Sequence, residues 1–316
     1  MKLCIAGLGS IGKRHLVNAE RVLKEHGIDH QIDVLRSGRT VLEEKYGAVI
    51  QCEYYRIDEM PDNYDVVFVT NPTSLHYDTI RNLLDKTKHM FIEKPVFSSV
   101  ENDLSELKLR ADGVYYVACP LRHKSIMKYV KENIVRKQHV LSARIISTSY
   151  LPAWRSNTDY KTVYSAKKDM GGGVTRDLIH EWDYAIDLFG IPEKVYHMKE
   201  HFSELAIDSD DISVYIAKYP GMFLEMHLDY IGQKTERVLE IFTNENRIDV
   251  DLISDTIHVY KNHMLINYLK FPCEDFYVKE IEYFFDCIEG RKINVNTVMD
   301  AYRTLEIALT GEITGK

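Results

Sequence analysis

A lysine followed by a proline ends one apolar run of the chain, in the tripeptide Glu93-Lys94-Pro95. The run itself, residues 90–92, is typical of a buried strand, so Lys94 would lie at a strand's carboxyl end, where parallel sheets bind ligands. An ammonium group there can hold a substrate oxygen and stabilise the charge that develops on it. Pro95 would fix the neighbouring backbone and direct the side chain. We therefore predict a catalytic role for Lys94, with a surface lysine at a strand end as the alternative.

A glycine-rich hexapeptide, GLGSIG at residues 7–12, directly follows the apolar residues 3–6. Its G-x-G-x-x-G spacing, between a predicted strand and a predicted helix, is that of a dinucleotide-binding turn. Gly7 would allow the tight turn, Gly9 the approach of a pyrophosphate, and Gly12 the packing of helix on strand. The main-chain amides of Ser10 and Ile11, at the start of the helix, would bind the phosphates. A glycine-rich turn without a ligand is the alternative.

The residues after the second predicted strand, 31–36, bear on the type of dinucleotide. An acid there binds the ribose 2′-hydroxyl of NAD, whereas an arginine accommodates the 2′-phosphate of NADP. This sequence has Arg36, Ser37 and Arg39, whose guanidinium and hydroxyl groups suit a phosphate monoester. Asp33 would lie within the strand. We therefore favour NADP(H) over NAD(H), and a solvated basic loop is the structural alternative.

Polar residues also follow the strongly apolar strand predicted at residues 65–70. Carboxyl ends of parallel strands share one edge of a sheet, so these residues would pass beneath the adenosine and the nicotinamide ribose. The cofactor contacts predicted at this edge are Thr70, Asn71, Pro72, His76, Glu93 and Lys94. For His76, a purely structural place at the start of the next helix explains the sequence equally well.

A glycine-led segment, GGGVTRDLIHEWD at residues 171–183, is predicted to open one helix over about residues 174–189. Asp177 and His180 are three residues apart and would share a face of that helix. A carboxylate and an imidazole so placed suit a proton relay, with His180 as the acid–base group and Asp177 as its positioner or as a second relay group. A merely solvated polar face is the alternative, and it is weakened by the glycine triplet, which permits close approach to another surface.

A third cluster lies between the first strand of the second region and the glycine-led helix. Its tryptophan, arginine, aspartate and tyrosine side chains suit a hydroxylated or anionic substrate, and an ordered structural loop is the alternative. The predicted substrate-binding residues are Trp154, Arg155, Asp159, Tyr160 and Tyr164, together with Arg122 beyond the strand at residues 114–118.

The secondary-structure elements that must position these residues follow two different patterns, one in the first part of the chain and one in the second. Up to residue 118, strands alternate with helices predicted at about residues 11–26, 75–85 and 98–110, which indicates a parallel sheet covered on both faces. Beyond residue 140, alternating segments joined by tight polar turns indicate a mostly antiparallel sheet. Its predicted strands are residues 140–150, 212–218, 222–230, 238–243, 247–251 and 256–260.

Composition excludes several classes of protein. A net charge of −8 gives no basic face for nucleic acid, and no apolar run approaches the length of a membrane span. Five scattered cysteines form neither a C-x-x-C pair nor a zinc spacing, so we predict no metal site. With no signal peptide before the first strand, we expect reduced thiols and a cytoplasmic protein.

The order of these motifs resembles the family of glucose–fructose oxidoreductase, inositol dehydrogenase and rhizopine catabolism proteins (Gfo/Idh/MocA). The resemblance covers nearly the whole chain and is carried by GLGSIGKRH, DVVFVTNPTSLHY, FIEKP and GGGVTRDLIHEWD. It implies an α/β fold with an N-terminal Rossmann domain, a doubly wound parallel sheet, and a C-terminal α+β domain with a large, mostly antiparallel open sheet. We place the domains at residues 1–120 and 121–316, with a C-terminal helix that could pack back on the first domain.

The resemblance also implies roles and partners. Lys94 matches the family's catalytic lysine and Asp177 its aspartate. Members commonly have Asp-x-x-x-His, whereas here His180 follows Asp177 by three residues and Glu181 by four. The acid–base group is therefore either His180 or Glu181. The large sheet is often used for oligomerisation, so we expect a homodimer or homotetramer.

The implied activity is hydride transfer between a nicotinamide cofactor and a secondary hydroxyl or keto group of a sugar, polyol or nucleotide sugar. Residues 151–166 and 177–184 resemble a branch associated with bacterial surface-polysaccharide sugars. Two alternatives stay open. One is an enzyme that retains its cofactor and uses transient oxidation for hydrolysis, epimerisation or dismutation. The other is a non-catalytic cofactor-binding regulator.

Overall fold

The computed structural model describes residues 1–156 and 158–313. Its helices are α1 Ser10–Glu25, α2 Glu44–Gly47, α3 His76–Leu83, α4 Ser125–Tyr129, α5 Val174–Asp177, α6 His180–Phe189, α7 Phe276–Ile288 and α8 Val298–Thr310. Its strands are β1 Lys2–Ala6, β2 Gln31–Leu35, β3 Ile50–Tyr54, β4 Tyr64–Val69, β5 Thr87–Ile92, β6 Tyr115–Val117, β7 Val140–Tyr150, β8 Lys194–Glu200, β9 Ile212–Tyr219, β10 Met222–Asp229, β11 Ile231–Thr243, β12 Arg247–Asp251, β13 Thr256–Lys261 and β14 Met264–Lys270. None of the helices in the described ranges is long and apolar enough to cross a membrane.

The chain forms two compact units. The first consists of Met1–Ala118 and Asp275–Tyr302, and the second of Cys119–Glu274 with the residues from Arg303 onward. The division predicted from the sequence, 1–120 and 121–316, differs from this one in residues 119–120 and 275–302. In the first unit these residues are held by β6, since the Asn296 amide donates to the Val117 carbonyl at 2.9 Å.

The first unit contains a parallel sheet of six strands in the order β3-β2-β1-β4-β5-β6. Its central strands are continuous apolar runs, and Ile5 and Phe68 are fully buried, as expected for a sheet covered on both faces. The strand order reverses on either side of β1, so the carboxyl ends of β1 and β4 open a ligand crevice. The predicted doubly wound fold is confirmed.

One predicted helix of this unit, residues 98–110, is wrong. The segment contains only a short 3₁₀ turn, Leu104–Glu106. Asp103 accepts hydrogen bonds from both the amide and the hydroxyl of Ser105, and the Asn102 amide donates to the Ser99 carbonyl. Short polar side chains that bond to nearby groups in this way favour turns over helices.

The second unit contains a sheet of eight strands in the order β14-β13-β12-β11-β7-β10-β9-β8. All neighbours are antiparallel except β7 and β10, which run parallel. Residues such as Ala143, Ile145 and Leu224 alternate inward from the central strands and are fully buried. Helix α6 contributes Trp182, which makes an edge-to-face contact with Tyr215 of β9. The predicted large, mostly antiparallel sheet is confirmed.

The single helix predicted over residues 174–189 is also wrong, because the chain leaves helical geometry at Leu178, where φ is −96° and ψ is 27°. Helix α5 is held by tertiary contacts at both ends. The Asp210 carboxylate accepts from the amide and hydroxyl of Thr175, and the Asp177 carboxylate accepts from Tyr230. Asp177 and His180 therefore belong to different helices, and the shared-face argument does not apply to them.

Candidate functional site

The glycine turn in the first unit is fixed by close packing. Gly7 has a φ of +105°, and a Cβ built on it would lie 2.5 Å from the Cα atom of Asn71. A Cβ on Gly12 would lie 2.0 Å from the carbonyl oxygen of Gly7. The Thr70 hydroxyl donates to that same carbonyl at 2.6 Å. No larger residue fits at either glycine, so the turn has one conformation, braced against the end of β4.

Gly9 differs from the other two glycines, since a Cβ built on it would meet nothing within 4 Å. It precedes α1, and the first bond of that helix runs from the Lys13 amide to the Gly9 carbonyl. The preceding amides, of Ser10 and Ile11, therefore have no carbonyl partner within the helix. Open space above amides at the start of a 16-residue helix fits a dinucleotide pyrophosphate.

Arg36 is engaged within the protein. One guanidinium nitrogen donates to Glu53 on β3 at 2.6 Å, and another donates to the carbonyl and hydroxyl of Thr40. Ser37 and Arg39 are exposed, and the Arg39 guanidinium lies 4.6 Å from the ring centroid of Tyr55. Of the residues predicted to bind a 2′-phosphate, these two remain open to solvent.

His76 connects the two loops that follow β4 and β5. Its Nδ1 lies 3.0 Å from the Pro95 carbonyl oxygen, and its Nε2 lies 3.0 Å from that of Asn71. Burial lowers the pKa of His76, although the facing carbonyl groups oppose the shift. Both ring nitrogens thus contact main chain, so His76 acts as a structural link beneath the predicted cofactor contacts. Pro72 is exposed beside it.

Glu93, the residue before Lys94, makes two hydrogen-bonding contacts through its side-chain carboxylate. Glu93 Oε1 lies 2.5 Å from Nε2 of His15 on α1, and Glu93 Oε2 accepts the Lys94 amide at 3.1 Å. Burial opposes ionisation of Glu93, but the hydrogen bond from His15 and the charge of Lys94 bring its pKa below the usual range. Lys94 itself is half-buried at the carboxyl end of β5.

In the second unit, Asp177 is linked to a predicted substrate-binding residue. Its Oδ2 accepts the Tyr230 hydroxyl at 2.5 Å, and the Tyr230 ring meets Trp154 edge to face at 5.3 Å. Trp154 donates its indole N–H to Ser149 on β7. Burial, and then the charge of Asp177, raise the pKa of Tyr230 well above its usual value, so Tyr230 stays protonated and donates.

The structure separates the two acid–base candidates. Glu181 is fully buried and accepts from the Arg237 guanidinium on β11 at 2.7 Å. His180, the first residue of α6, is half-buried. A general base must come within hydrogen-bond reach of its substrate. His180 meets this requirement better than Glu181.

The glycine triplet packs against the loop that carries Tyr164. A Cβ on Gly172 would lie 2.1 Å from the Tyr164 carbonyl oxygen. Gly173 has a φ of +115°, and a Cβ there would lie 2.4 Å from the Asp210 carboxylate. The close approach predicted for these glycines is thus made to the protein's own loop, which brings Tyr164 beside α5.

The other predicted substrate residues have different surroundings. Arg122 is nearly buried and makes a two-pronged ion pair with Asp183, with a further contact to Asp187. Although burial opposes it, the charge of Asp183 raises the pKa of Arg122. Arg155 and Asp159 are exposed. The Asp159 carboxylate caps a turn by accepting a hydrogen bond from the Lys161 amide. The Tyr160 hydroxyl accepts a hydrogen bond from the Ala206 amide.

Sequence reasoning missed two residues of these clusters, His15 and Tyr230. His15 lies on the buried face of α1, between the buried residues Gly12 and Leu16. A polar residue at such a position is unusual, and the sequence alone could have indicated that it has a hydrogen-bonding partner. Tyr230 continues the inward alternation of β10 after Leu228, so its burial was predictable. Its partner Asp177 lies far away in the sequence, and no local pattern indicates that pairing.

Comparisons with known proteins agree with this architecture. Residues 1–114 match the model of the Gfo/Idh/MocA family, described as an oxidoreductase family with an NAD-binding Rossmann fold. A Bacillus subtilis protein described as the uncharacterized oxidoreductase YrbE is 29% identical over 192 residues, which is 59% of this chain and 53% of that protein. The chain thus spans about half the length of the curated relative that it matches.

Three solved structures share the fold over almost the whole chain. UDP-N-acetylglucosamine 3-dehydrogenase GnnA from Acidithiobacillus ferrooxidans has a TM-score of 0.77 at 18% identity, covering 98% of this chain and 95% of that one. Levoglucosan dehydrogenase in complex with NADH and levoglucosan has a TM-score of 0.80 at 17% identity, covering 98% and 95%. The WlbA dehydrogenase from Bordetella pertussis, in complex with NADH and UDP-GlcNAcA, has a TM-score of 0.79 at 16% identity, covering 98% and 94%.

At these identities the structural likeness establishes the fold alone, whereas the family model and the sequence relative bear on descent. Residues 1–114 are similar to the Gfo/Idh/MocA family of oxidoreductases with an NAD-binding Rossmann fold, and the resemblance predicted from the sequence motifs is confirmed over this part of the chain.

Proposed function

We propose that this protein is a nicotinamide-dependent oxidoreductase that acts on a secondary hydroxyl or keto group of a sugar, polyol or nucleotide sugar. One observation in the first unit carries the proposal. The glycine turn after β1 and the loop after β5 that carries Lys94 lie on the same edge of one parallel sheet, with β4 between the two strands. A phosphate-binding turn and a lysine on one crevice edge suit a redox cofactor and the group that acts beside it.

The bound nicotinamide would supply the acceptor or donor of the hydride. Oxidation of an alcohol carbon also requires that its hydroxyl lose a proton, and this part of the chemistry falls to the protein. In our proposal Lys94 holds the substrate oxygen and stabilises its developing negative charge. His180 exchanges the proton, and Asp177 positions the substrate or the relay. Tyr230 keeps Asp177 oriented.

The cofactor preference is a further part of the proposal. The sequence favours NADP(H), and with Arg36 held by Glu53 and Thr40 that preference rests on the exposed residues Ser37 and Arg39. NAD(H) is the alternative, and two of the solved structures named above, levoglucosan dehydrogenase and WlbA, are described in complex with NADH. Titrating NADPH and NADH separately by calorimetry, in wild type and Arg39→Ala, discriminates the two. A loss of affinity confined to NADPH would support the 2′-phosphate contact.

A sugar or nucleotide sugar is the proposed substrate class. Trp154 offers an aromatic face against Tyr230, and exposed Arg155 lies next to it in sequence, so the loop can pack on a sugar ring and attract an anionic group. The large sheet of the second unit leaves apolar side chains exposed, among them Phe223 and Ile216. We therefore also propose that the protein forms a homo-oligomer, a dimer or a tetramer.

The decisive experiment replaces Lys94 by alanine and measures turnover and cofactor binding separately. Turnover with the best sugar of a screen should fall by about a thousandfold, while cofactor affinity changes little. Lys88→Ala is the matched control, because Lys88 lies on β5, the strand that Lys94 follows, and its side chain is half exposed. If Lys94→Ala and Lys88→Ala turn over equally fast, the proposed mechanism is wrong. If folded wild type, freed of any cofactor, binds neither nucleotide, the oxidoreductase proposal is wrong.

A further inference from the structure

The two oxygens of the Glu93 carboxylate face different parts of the first unit. Oε1 lies 2.5 Å from Nε2 of His15, and Oε2 accepts the main-chain N–H of Lys94. The His15 side chain is fully buried, and that of Glu93 is 9% exposed. One buried carboxylate therefore joins the helix that follows the glycine turn to the main chain of Lys94.

His15 has a single hydrogen-bonding contact in the described part of the chain. Its Nδ1 is buried and makes no hydrogen bond there, while its ring packs among Phe68, Phe91 and Tyr277. Because the pKa of Glu93 is lowered despite its burial, the group facing His15 is a carboxylate, and His15 Nε2–H donates to it. A charge-assisted hydrogen bond of this kind is strong and restricts both groups to one geometry.

We propose that His15 is a positioning residue for the reaction proposed above. Through Glu93 it fixes the main chain at Lys94, and it does so from α1, whose first turn would bind the phosphates of the cofactor. The loop that carries Lys94 is thereby held in a fixed position relative to the glycine turn at residues 7–12. The inference rests on the proposed function of Lys94, and the contact itself can be tested without any turnover.

A buried pair that only stabilises the fold is the competing explanation, and three variants separate the two. His15→Phe keeps an aromatic ring among the neighbouring rings and removes the donor. His15→Gln keeps a donor, because the glutamine amide nitrogen reaches the position of Nε2. His89→Phe is the matched control, since His89 is a buried histidine of β5, five residues before Lys94 in the sequence, that accepts the Val114 amide at 2.9 Å.

The expected result is a separation of kcat from stability. His15→Phe should lower kcat about tenfold or more while the KM for cofactor changes less than about threefold, and His15→Gln should recover most of that loss. His89→Phe should lower Tm comparably and leave kcat near that of wild type. Equal kcat in His15→Phe and His89→Phe would overturn the proposal. If His15→Phe does not fold, His15→Asn replaces it, because its amide is too short to reach Glu93 and should therefore lose the kcat that His15→Gln keeps.

A spectroscopic measurement keeps this inference separate from the proposed function. In protein labelled with ¹⁵N-lysine, the Lys94 amide resonance is assigned by its loss in Lys94→Arg. That resonance should shift in His15→Phe and stay in place in His89→Phe, because only the first variant releases Glu93. An unchanged resonance would overturn the positioning contact even in an active enzyme. A shifted resonance in a protein that turns over no sugar would uphold the contact and count against the proposed function.

Discussion

The hydroxyl of Tyr230 donates to Oδ2 of Asp177 at 2.5 Å, and both side chains are buried. Tyr230 immediately follows β10, whereas Asp177 ends α5, so this hydrogen bond joins the large sheet to the short helix that carries the predicted aspartate. It also extends to Trp154, whose ring packs on Tyr230. The position of Asp177 is therefore set by a residue that the sequence pattern does not connect with it.

Replacing Tyr230 by phenylalanine should lower turnover, because the Asp177 carboxylate loses the hydroxyl group that orients it. With the best sugar substrate, kcat should fall about tenfold. Unfolding free energy should fall by about 1 kcal/mol, the usual value of a buried hydrogen bond. Steady-state kinetics and denaturant unfolding measure the two effects.

Tyr215→Phe is the control for that variant, because Tyr215 is also buried and donates to a main-chain carbonyl, that of Ala308, at 2.8 Å. It should lose similar stability while kcat stays near that of wild type. Equal kcat values for the two variants would mean that Tyr230 has no influence on the reacting groups.

The glycines of the phosphate turn should respond differently to alanine. Gly12→Ala places a Cβ 2.0 Å from the Gly7 carbonyl and should strongly reduce Tm, whereas Gly9→Ala meets no protein atom within 4 Å and should fold normally. Unfolding free energy should change by about 0.5 kcal/mol or less in Gly9→Ala, while cofactor affinity falls about tenfold or more because the methyl group enters the space open to the pyrophosphate. Thermal melts and calorimetry measure the two effects. Normal cofactor affinity in Gly9→Ala would contradict the assigned position of the phosphates.

Glu53→Gln should shift the cofactor preference toward NADPH. In the wild type, the Glu53 carboxylate holds Arg36 and adds a negative charge near the end of β2. Removing that charge releases the guanidinium and reduces repulsion of a 2′-phosphate, so the ratio of NADPH to NADH affinity should rise about threefold to tenfold. Side-by-side titrations with the two cofactors measure the ratio. A ratio that stays the same or falls would show that Arg36 and Glu53 lie outside the ribose site.

Stability should decline as the pH is lowered below neutrality, in part through His197. Burial, helped by Lys199 and opposed by Asp210, lowers the pKa of His197 to about 4, and its ring stacks on Tyr215. Above pH about 6.5 the residue is neutral in both the folded and unfolded states. Between about pH 6.5 and 4 the unfolded chain binds a proton that the folded one does not, so unfolding becomes easier as pH falls.

Denaturant unfolding at a series of pH values checks this, with His197→Phe as the comparison because phenylalanine keeps a ring on Tyr215 and cannot titrate. The variant should show a flatter dependence across that window. Parallel curves for the two proteins would remove His197 as a source of the effect.

Local patterns in the sequence were sufficient for much of the fold. The apolar runs around Ile5 and Phe68 indicated a sheet buried on both faces, and the alternation around Leu224 indicated a sheet with one covered face. The same patterns failed where tertiary contacts decide the conformation. The chain leaves helical geometry at Leu178, directly after a turn whose Thr175 and Asp177 are held by Asp210 and Tyr230, both distant in sequence.

The candidate site was predictable in part for the same reason. Gly7 and Gly12 have the spacing of a tight turn, and the structure places them in close packing as that spacing requires. Arg36 was assigned less well, because an arginine suits a phosphate, yet this one is bound by Glu53 from the neighbouring strand β3, whose central residues are exposed and give little apolar pattern. The sequence shows the type of each side chain, but it does not show which residue on another strand that side chain binds.

The parallel pairing of β7 and β10 has a consequence for synthesis on the ribosome. Both neighbours of β7 in the sheet, β10 and β11, come later in the chain, and they are separated from β7 by α5, α6, β8 and β9. A nascent chain that has emerged only as far as β9 therefore presents both edges of β7 without partners. Unpaired strand edges promote association between chains, so this interval is when the newborn protein most needs a chaperone.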